Sequence, residues 1–113
     1  MSVINKSFQI RGKSGSLYDF IVYTLDHEFS GTTCTYIYTN LTKNAFGHDL
    51  FVNAYCGETD DLNSRISKHN SDQDIASPHN CICIKVASSK EQAKEWQDDI
   101  LKANYFPDNK QLN

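Results

Sequence analysis

The sequence predicts an α+β fold: a small central antiparallel sheet of three strands, flanked by helices, with an additional β-hairpin at the amino terminus. Two observations predict this class. Apolar residues recur every three or four positions in two helical segments, one after Gly57 and one near the carboxyl end. Runs rich in alternating, aromatic and β-branched residues predict strands at 7–11, 17–25, 34–39, 49–56 and 79–87.

Length and composition limit the possible functions. A chain of 113 residues suffices for one domain, and 39% hydrophobic with 12% aromatic residues can form a core. The formal net charge of -3 argues against a protein that binds nucleic acid mainly through non-specific charge, so such binding would need a local basic patch or a metal ion. Because the sequence shows neither a signal peptide nor an apolar run of membrane-spanning length, we expect a cytosolic protein without a membrane partner.

The four cysteines lie in apolar, strand-like segments, at Cys34, Cys56, Cys81 and Cys83. Cys81 and Cys83 lack the two-residue spacer that is usual in zinc sites, and a strand would direct both thiols to one face. We expect buried, reduced thiols, with a metal or disulfide role as the alternative.

The amino-terminal third predicts a hairpin. Residues 7–11 alternate as an edge strand does, residues 12–16 are rich in glycine and serine and form its turn, and residues 17–25 form the second strand. The spacing of residues 12–16 does not match a phosphate-binding P-loop. Residues 26–33 are polar and predict a loop.

The next two strands carry tyrosines. In residues 34–39, Tyr36 and Tyr38 point to one face of the sheet. A polar connection at 40–48 leads to the strand at 49–56, which we expect to pair antiparallel with the previous one.

A glycine turn and a helix follow. Gly57 permits a sharp turn or the close approach of a ligand. The helix is predicted over 60–69, with Thr59 or Asp60 as its cap.

One face of this helix carries Asp61, Arg65 and His69 at four-residue spacing. A guanidinium and an imidazole together could bind a phosphate. The alternative is a solvated face with an Asp61–Arg65 ion pair.

The carboxyl-terminal part predicts a strand at 79–87, with Cys81 and Cys83 on one face, and then a helix that Ser88 and Glu91 begin as a capping box. His79 is expected to be a turn residue rather than a ligand. The residues of this helix that should point inward are Ala93, Trp96, Gln97, Ile100, Leu101 and Asn104. Gln97 is the polar residue in the middle of this set.

These elements, in this order, resemble the GIY-YIG nuclease family. Cys34-Thr35-Tyr36 stands where the family has Gly-Ile-Tyr, and Tyr55-Cys56-Gly57 stands for Tyr-Ile-Gly. Arg65 follows Gly57 at the family spacing. The matching residues are Tyr36, Tyr55, Gly57, Thr59, Leu62, Arg65, His69 and Asn109. The resemblance divides the single domain into a hairpin and loop at 1–33, similar to that of small bacterial members, and a catalytic core at 34–109.

The resemblance implies phosphodiester hydrolysis with one divalent metal ion, Mg²⁺ or Mn²⁺. It implies that Tyr36 helps to take the proton from the attacking water, and that Tyr55 orients water and substrate beside His69. Arg65 would face the scissile phosphate and stabilise charge in the transition state. The metal ion would act as a Lewis acid.

Four residues are expected to contact or support the substrate. Gly57 would let the substrate approach, and Asn109 would hold neighbouring structure or a phosphate. Lys43 and Lys68, with Arg65, would form a local basic patch; simple solvation is the alternative for each lysine. The loops at 40–48 and 70–78 are the candidates to contact nucleic acid.

The position of the family's metal-binding glutamate is occupied by Gln97, which carries no charge. Mg²⁺ usually relies on carboxylates, so metal binding and activity should be weak or absent. Three explanations are open: a deliberate glutamate-to-glutamine replacement, which we favour because it is isosteric; a naturally inactive member; or a substitute carboxylate at Glu58 or Asp61.

The leading hypothesis is therefore a metal-dependent endonuclease that acts on nucleic acid, DNA rather than RNA, in a form inactivated by Gln97. The alternative is a catalytically dead module of the same fold that binds nucleic acid or protein. A third interpretation treats the tyrosines as core residues and Arg65 as a surface ion pair.

Overall fold

The computed structural model describes residues 3–109, with side chains from residue 7 onward. Predictions for residues 1–2 and for the polar tail at 110–113 lie outside the described residues. The elements, in chain order, are β1 (Val3–Arg11), β2 (Leu17–Thr24), β3 (Cys34–Lys43), β4 (Asp49–Thr59), α1 (Leu62–Asp72), β5 (Cys81–Val86) and α2 (Lys90–Ala103).

All five strands form one antiparallel sheet in the order β1-β2-β5-β3-β4. The predicted three-stranded sheet with a separate hairpin is therefore wrong. The hairpin extends the sheet because β2 pairs with β5, where Val22 lies opposite Cys83. Residues 81–84 are buried on both faces, as is typical of a central strand, which has neighbours on both edges.

The hairpin of β3 and β4 is longer than predicted. The supposed connection at 40–48 shrinks to a turn at 44–48, in which the Asn44 side chain accepts hydrogen bonds from the Phe46 and His48 N–H groups. At its other end β4 continues to Thr59, so Gly57 lies within a strand and not in a turn.

The sheet has a buried core on each face, because alternate residues of each strand point in opposite directions. α2 packs on the first face, over Phe8, Ile10, Phe20, Val22, Ile37, Cys56, Cys81 and Cys83. α1 packs on the second face, through Leu62 and Ile66. The strand residues of the second face are Cys34, Tyr36, Tyr38, Ala54, Ile82 and Ile84.

Both helices begin one or two residues later than predicted. Asp61 caps α1, and its carboxylate accepts hydrogen bonds from the N–H and hydroxyl of Ser64. Ser89, not Ser88, caps α2 by accepting from the N–H of Gln92. The Gln92 side chain accepts from the N–H and the hydroxyl of Ser88, the residue before the cap, so Gln92 and not Glu91 is the partner at this helix start.

All four cysteines are free and buried, which confirms the preferred prediction for them. Neither α1 nor α2 combines the length and apolarity that a membrane-crossing helix requires.

Candidate active site

The hydroxyl group of Tyr36 is the centre of a polar cluster on the α1 face of the sheet. Tyr36 Oη lies 2.8 Å from Nε2 of His69, and Nδ1 of His69 lies 2.8 Å from a carboxylate oxygen of Asp74. Because an ionised carboxylate can only accept, Nδ1 donates to Asp74. In the neutral imidazole, Nε2 then accepts from the Tyr36 hydroxyl. The three residues form a continuous chain of hydrogen bonds.

Strand and helix geometry bring these groups together. Tyr36 points to the α1 face because it alternates with Thr35, whose hydroxyl donates to the Ala93 carbonyl of α2 on the other face. Gly57 lies directly opposite Tyr36 on β4. A Cβ atom on Gly57 would lie 2.5 Å from Tyr36 Oη, so only glycine leaves room for the tyrosine ring.

Arg65 and Tyr55 complete the cluster and connect it to the surface. Arg65 precedes His69 by four residues on α1, so both side chains lie on the same side of the helix. The Tyr55 ring centroid lies 5.0 Å from that of His69 and 6.1 Å from that of Tyr36. Tyr36 is fully buried and His69 is 6% exposed, whereas Tyr55 and Arg65 are half-buried.

The environment keeps the Tyr36 hydroxyl protonated. Burial raises the pKa of Tyr36, and neighbouring Tyr55 raises it further, while the guanidinium of Arg65 lowers it by charge and by a hydrogen bond. Burial also raises the pKa of Tyr55, and Arg65 again opposes that shift. Arg65 is therefore the group that stabilises negative charge on either phenol oxygen.

This arrangement can bind an anion and move a proton. Arg65 and Tyr55 present a cation and a hydroxyl where the cluster reaches the surface. Beneath them, the proton of Tyr36 can pass to His69 while Asp74 stabilises the resulting imidazolium. Tyr36 has no exposed surface. A water molecule would therefore pass its proton to this series of hydrogen bonds on the side where Tyr55 lies.

Gln97 is not part of this cluster. It lies on α2, which covers the opposite face of the sheet, and its amide donates to the Asp98 carboxylate. The two possible substitute carboxylates are engaged elsewhere, because Glu58 pairs with Lys90 and Asp61 caps α1.

A metal ion does not fit the grouping of side chains that the structure describes. Across residues 7–109 there is no group of three or more His, Cys, Asp or Glu side chains placed to hold one. Gln97, the predicted metal-ligand position, is neutral and lies on the other face of the sheet, so no chemical step at this cluster depends on a metal ion.

The two predicted substrate lysines do not contact the cluster. Lys43 pairs with Asp49 at 2.9 Å and lies seven positions after Tyr36, about 23 Å along β3. Lys68 lies on α1 but pairs with Asp72 at 3.1 Å and is largely exposed.

Asn109 stabilises β4, the strand that carries Tyr55, by binding the backbone of the next residue, Cys56. Its side-chain amide accepts from the Cys56 N–H and donates to the Cys56 carbonyl, each at 2.8 Å. The neighbouring Asp108 donates its N–H to the Ala54 carbonyl and accepts two hydrogen bonds from Ser77. These contacts cover the outer edge of β4 and tie it to the segment between α1 and β5.

Sequence reasoning missed Asp74, the acceptor for His69. Asp74 lies beyond the end of α1, after Gln73 turns the chain through a left-handed conformation with φ 50°. Sequence reasoning placed it in an undifferentiated loop at 70–78. A carboxylate five residues after a helical histidine is the only sequence signal for it.

No protein-family model matches this chain, and no curated protein or solved structure is significantly similar to it.

Proposed function

We propose that this protein binds nucleic acid and hydrolyses its phosphodiester bonds, or is the inactivated form of such an endonuclease. The observation that supports this proposal best is the Tyr36 hydroxyl, held between the His69–Asp74 pair and the Arg65 guanidinium. Phosphodiester hydrolysis requires a cation for the phosphate and a route for the proton of the attacking water, and these groups supply both.

Each residue has a separate role in this proposal. Arg65 binds the phosphate and stabilises the charge that develops on its oxygens. Tyr55 orients the water at the surface of the cluster. Tyr36 gives its hydroxyl proton to His69 as it receives the water proton through Tyr55, and Asp74 keeps the His69 imidazole in the tautomer that can accept it. As the water oxygen bonds to phosphorus, the bond from phosphorus to one sugar oxygen breaks, and that oxygen takes a proton from solvent.

The substrate proposed here is DNA rather than RNA, and the compartment is the cytosol, where free thiols such as the four buried cysteines persist. A divalent ion, Mg²⁺ or Mn²⁺, stays part of the proposal because phosphate oxygens and water can complete its shell when few protein ligands are present.

The second candidate is a binding module that has the same fold without the reaction. The observation that favours it is the position of Gln97, an uncharged residue on the far side of the sheet from Tyr36. In this case Arg65 and Tyr55 bind a phosphate that is never cleaved.

Cleavage of labelled single- and double-stranded DNA in Mg²⁺ and in Mn²⁺ tests the two candidates. The chain as given is compared with Gln97→Glu, and Arg65→Ala is made in both backgrounds. Arg11→Ala is the matched control, because Arg11 lies on β1 and donates to the Gly15 carbonyl, away from the cluster.

We expect the chain as given to cut DNA and Arg65→Ala to slow cutting at least about a thousandfold. Gln97→Glu should cut at the same rate as the chain as given, because Gln97 lies on the far face of the sheet from Tyr36. Cutting by Gln97→Glu alone would instead identify the chain as given as the inactivated form. Arg11→Ala should cut normally. DNA binding without cleavage by every variant would instead establish the binding module. Absence of both binding and cleavage would refute both candidates.

A further inference from the structure

A cavity lies beside His69, on the α1 face of the sheet, next to the proposed phosphate site. Its volume is about 200 Å³, and its walls are Tyr38, His69, Asn70, Gln73, Ile75 and His79. A smaller cavity of about 50 Å³ shares three of these walls, Tyr38, Asn70 and His79, and extends toward Phe29 and Leu25.

Flat rings form one part of this cavity. The ring centroids of Tyr38 and His79 lie 5.1 Å apart at an interplanar angle of 74°, and the centroids of Tyr38 and His69 lie 5.8 Å apart. Tyr38 is 4% and His69 6% exposed, so these two rings hold the half-buried His79 ring in place, and His79 is the ring with surface free for a base. Fixed aromatic rings are the usual stacking surfaces for unpaired bases.

Polar groups with both donors and acceptors form another part. Asn70 and Gln73 contribute side-chain amides, which can donate and accept at once. Nδ1 of His79 lies 2.9 Å from the Ser77 carbonyl, to which it must donate. In the neutral imidazole this leaves Nε2 of His79 as an acceptor.

The conformation of Gln73 is a second, independent observation. Gln73 is the one non-glycine residue with positive φ among the residues that the structure describes, at 50°. Glycine or asparagine would adopt this left-handed helix end more easily. A glutamine here places a long amide in the cavity wall at a conformational cost, as residues at binding sites often do.

We propose that this cavity binds one unpaired nucleobase, that of the nucleotide next to the phosphate held by Arg65. The inference rests on the proposed function, because His69 is both a wall of the cavity and a member of the Tyr36 cluster. Stacking on the His79 ring would supply affinity, and the amides of Asn70 and Gln73 would contact the base edge. A base in a duplex is stacked and paired, so the substrate is single-stranded or presents a flipped nucleotide.

Backbone amide chemical shifts of the full ¹⁵N-labelled chain test this proposal. The protein is titrated with each of the four deoxynucleoside 5′-monophosphates and, separately, with ribose 5-phosphate, which has the phosphate and sugar but no base. We expect the nucleotides to shift the amides of Asn70, Gln73 and His79, and ribose 5-phosphate to leave those three unchanged.

Two variants on the cavity wall and one control accompany the titration. Gln73→Gly removes the amide and suits the left-handed conformation, so weaker binding cannot be attributed to unfolding. Gln73→Gly and Asn70→Ala should each raise the nucleotide Kd about 5- to 100-fold. Asn63→Ala, the same substitution two turns earlier on the exposed surface of α1, should leave it unchanged.

Failure of this inference can be distinguished from failure of the proposed function. Cleavage that depends on Arg65, without base-dependent shifts at residues 70, 73 and 79, would overturn the base site alone. Base-dependent shifts at these residues, with no phosphodiester cut and no effect of Arg65→Ala on binding, would support the base site and overturn the phosphodiesterase. If no nucleotide shifts residues 70, 73 and 79, the cavity is not a base site, whatever the cleavage assay shows.

Discussion

The two faces of the sheet are built differently. On the α2 face the buried side chains are almost all apolar, as at Phe20, Cys56 and Ile100. On the α1 face the core includes two buried tyrosines and encloses His69, which makes hydrogen bonds through both ring nitrogens. Apolar packing without polar partners tolerates small shifts, whereas a buried hydroxyl or imidazole needs a partner at a defined distance.

The two helices also differ in where they make their polar contacts. Apart from the buried Thr35 hydroxyl, which donates to the Ala93 carbonyl, the polar contacts of α2 lie at the rim. There Asp99 accepts hydrogen bonds from Tyr18 and Ser14 and ties the helix to the β1–β2 turn. α1 directs its polar groups inward, beneath Arg65. The comparison indicates that the α2 face contributes mainly stability and the α1 face carries the chemistry, a division that single substitutions can test.

The largest expected effect on stability is on the α2 face. Ile100 is fully buried there, so Ile100→Ala removes packed methyl groups and leaves a cavity, at a cost of about 2–5 kcal/mol in the free energy of unfolding. Urea denaturation measures this cost. Ile66→Ala on α1 is the matched control, because Ile66 is only half-buried and should cost less. Equal costs would contradict the proposed division between the faces.

The next effect is steric and lies on the α1 face. Gly57→Ala would place a methyl group 2.5 Å from Tyr36 Oη, inside a packed strand pair. We expect a loss of about 1–3 kcal/mol in the free energy of unfolding, together with loss of the Tyr36–His69 hydrogen bond. Tyr36→Ala leaves room for this methyl group. The free-energy cost of the double variant should therefore be smaller than the sum of the costs of the two single variants. Strict additivity would show that the glycine does not accommodate the tyrosine.

A smaller effect isolates the hydrogen bond itself. Tyr36→Phe keeps the ring but leaves Nε2 of His69 without its hydroxyl partner, which should cost about 1–3 kcal/mol in the free energy of unfolding. The NMR signals of the His69 ring should also change. Tyr105→Phe is the control, since Tyr105 is 80% exposed and should change stability by less than about 0.5 kcal/mol. A Tyr36→Phe protein as stable as the Tyr105→Phe control would mean that the buried hydroxyl is not satisfied by His69.

Much of the local structure could be predicted from the sequence, because alternation and helical spacing are local properties. The five strands and two helices were all located, with errors at their ends. The order of the strands was not predicted, since pairing of β2 with β5 depends on residues far apart in the chain, such as Val22 and Cys83, which are 61 positions apart. Local alternation contains no information about which edge a strand will use.

The candidate site shows the same limit. Arg65 and His69 could be placed on one helical face from their spacing; His69 contacts Tyr36, and the Arg65 guanidinium lowers the pKa of Tyr36. The apolar stripe of α2 correctly predicted that this helix packs on the sheet. It did not indicate which face the helix covers, so the position of Gln97 relative to Tyr36 could not be predicted. Asp74 reaches His69 only because α1 continues to Asp72 and Gln73 then reverses the chain.

The pH dependence of stability gives the finest comparison of the two faces. Burial raises the pKa of Cys83 to about 12 on the α2 face and that of Tyr38 to about 12 on the α1 face, from ordinary values of 9.0 and 10.0. The folded state retains each proton at a pH where the unfolded chain releases it. The unfolded state therefore binds fewer protons, and the free energy of unfolding falls as pH rises.

The free energy of unfolding should begin to fall near pH 9, where the thiols of the unfolded chain lose their protons. The fall should become steeper above pH 10, where the tyrosines of the unfolded chain lose theirs. Each group contributes at most about 1.4 kcal/mol per pH unit. Urea denaturation in reductant from pH 8 to 11 measures the slope. Cys83→Ala should flatten it from pH 9 upward, whereas Tyr38→Phe should flatten it only above pH 10. Cys34, on the α1 face, contributes to the first step as well, since burial raises its pKa to about 12. If both variants flatten the same pH range, the assignment of Cys83 to the first step and Tyr38 to the second is wrong.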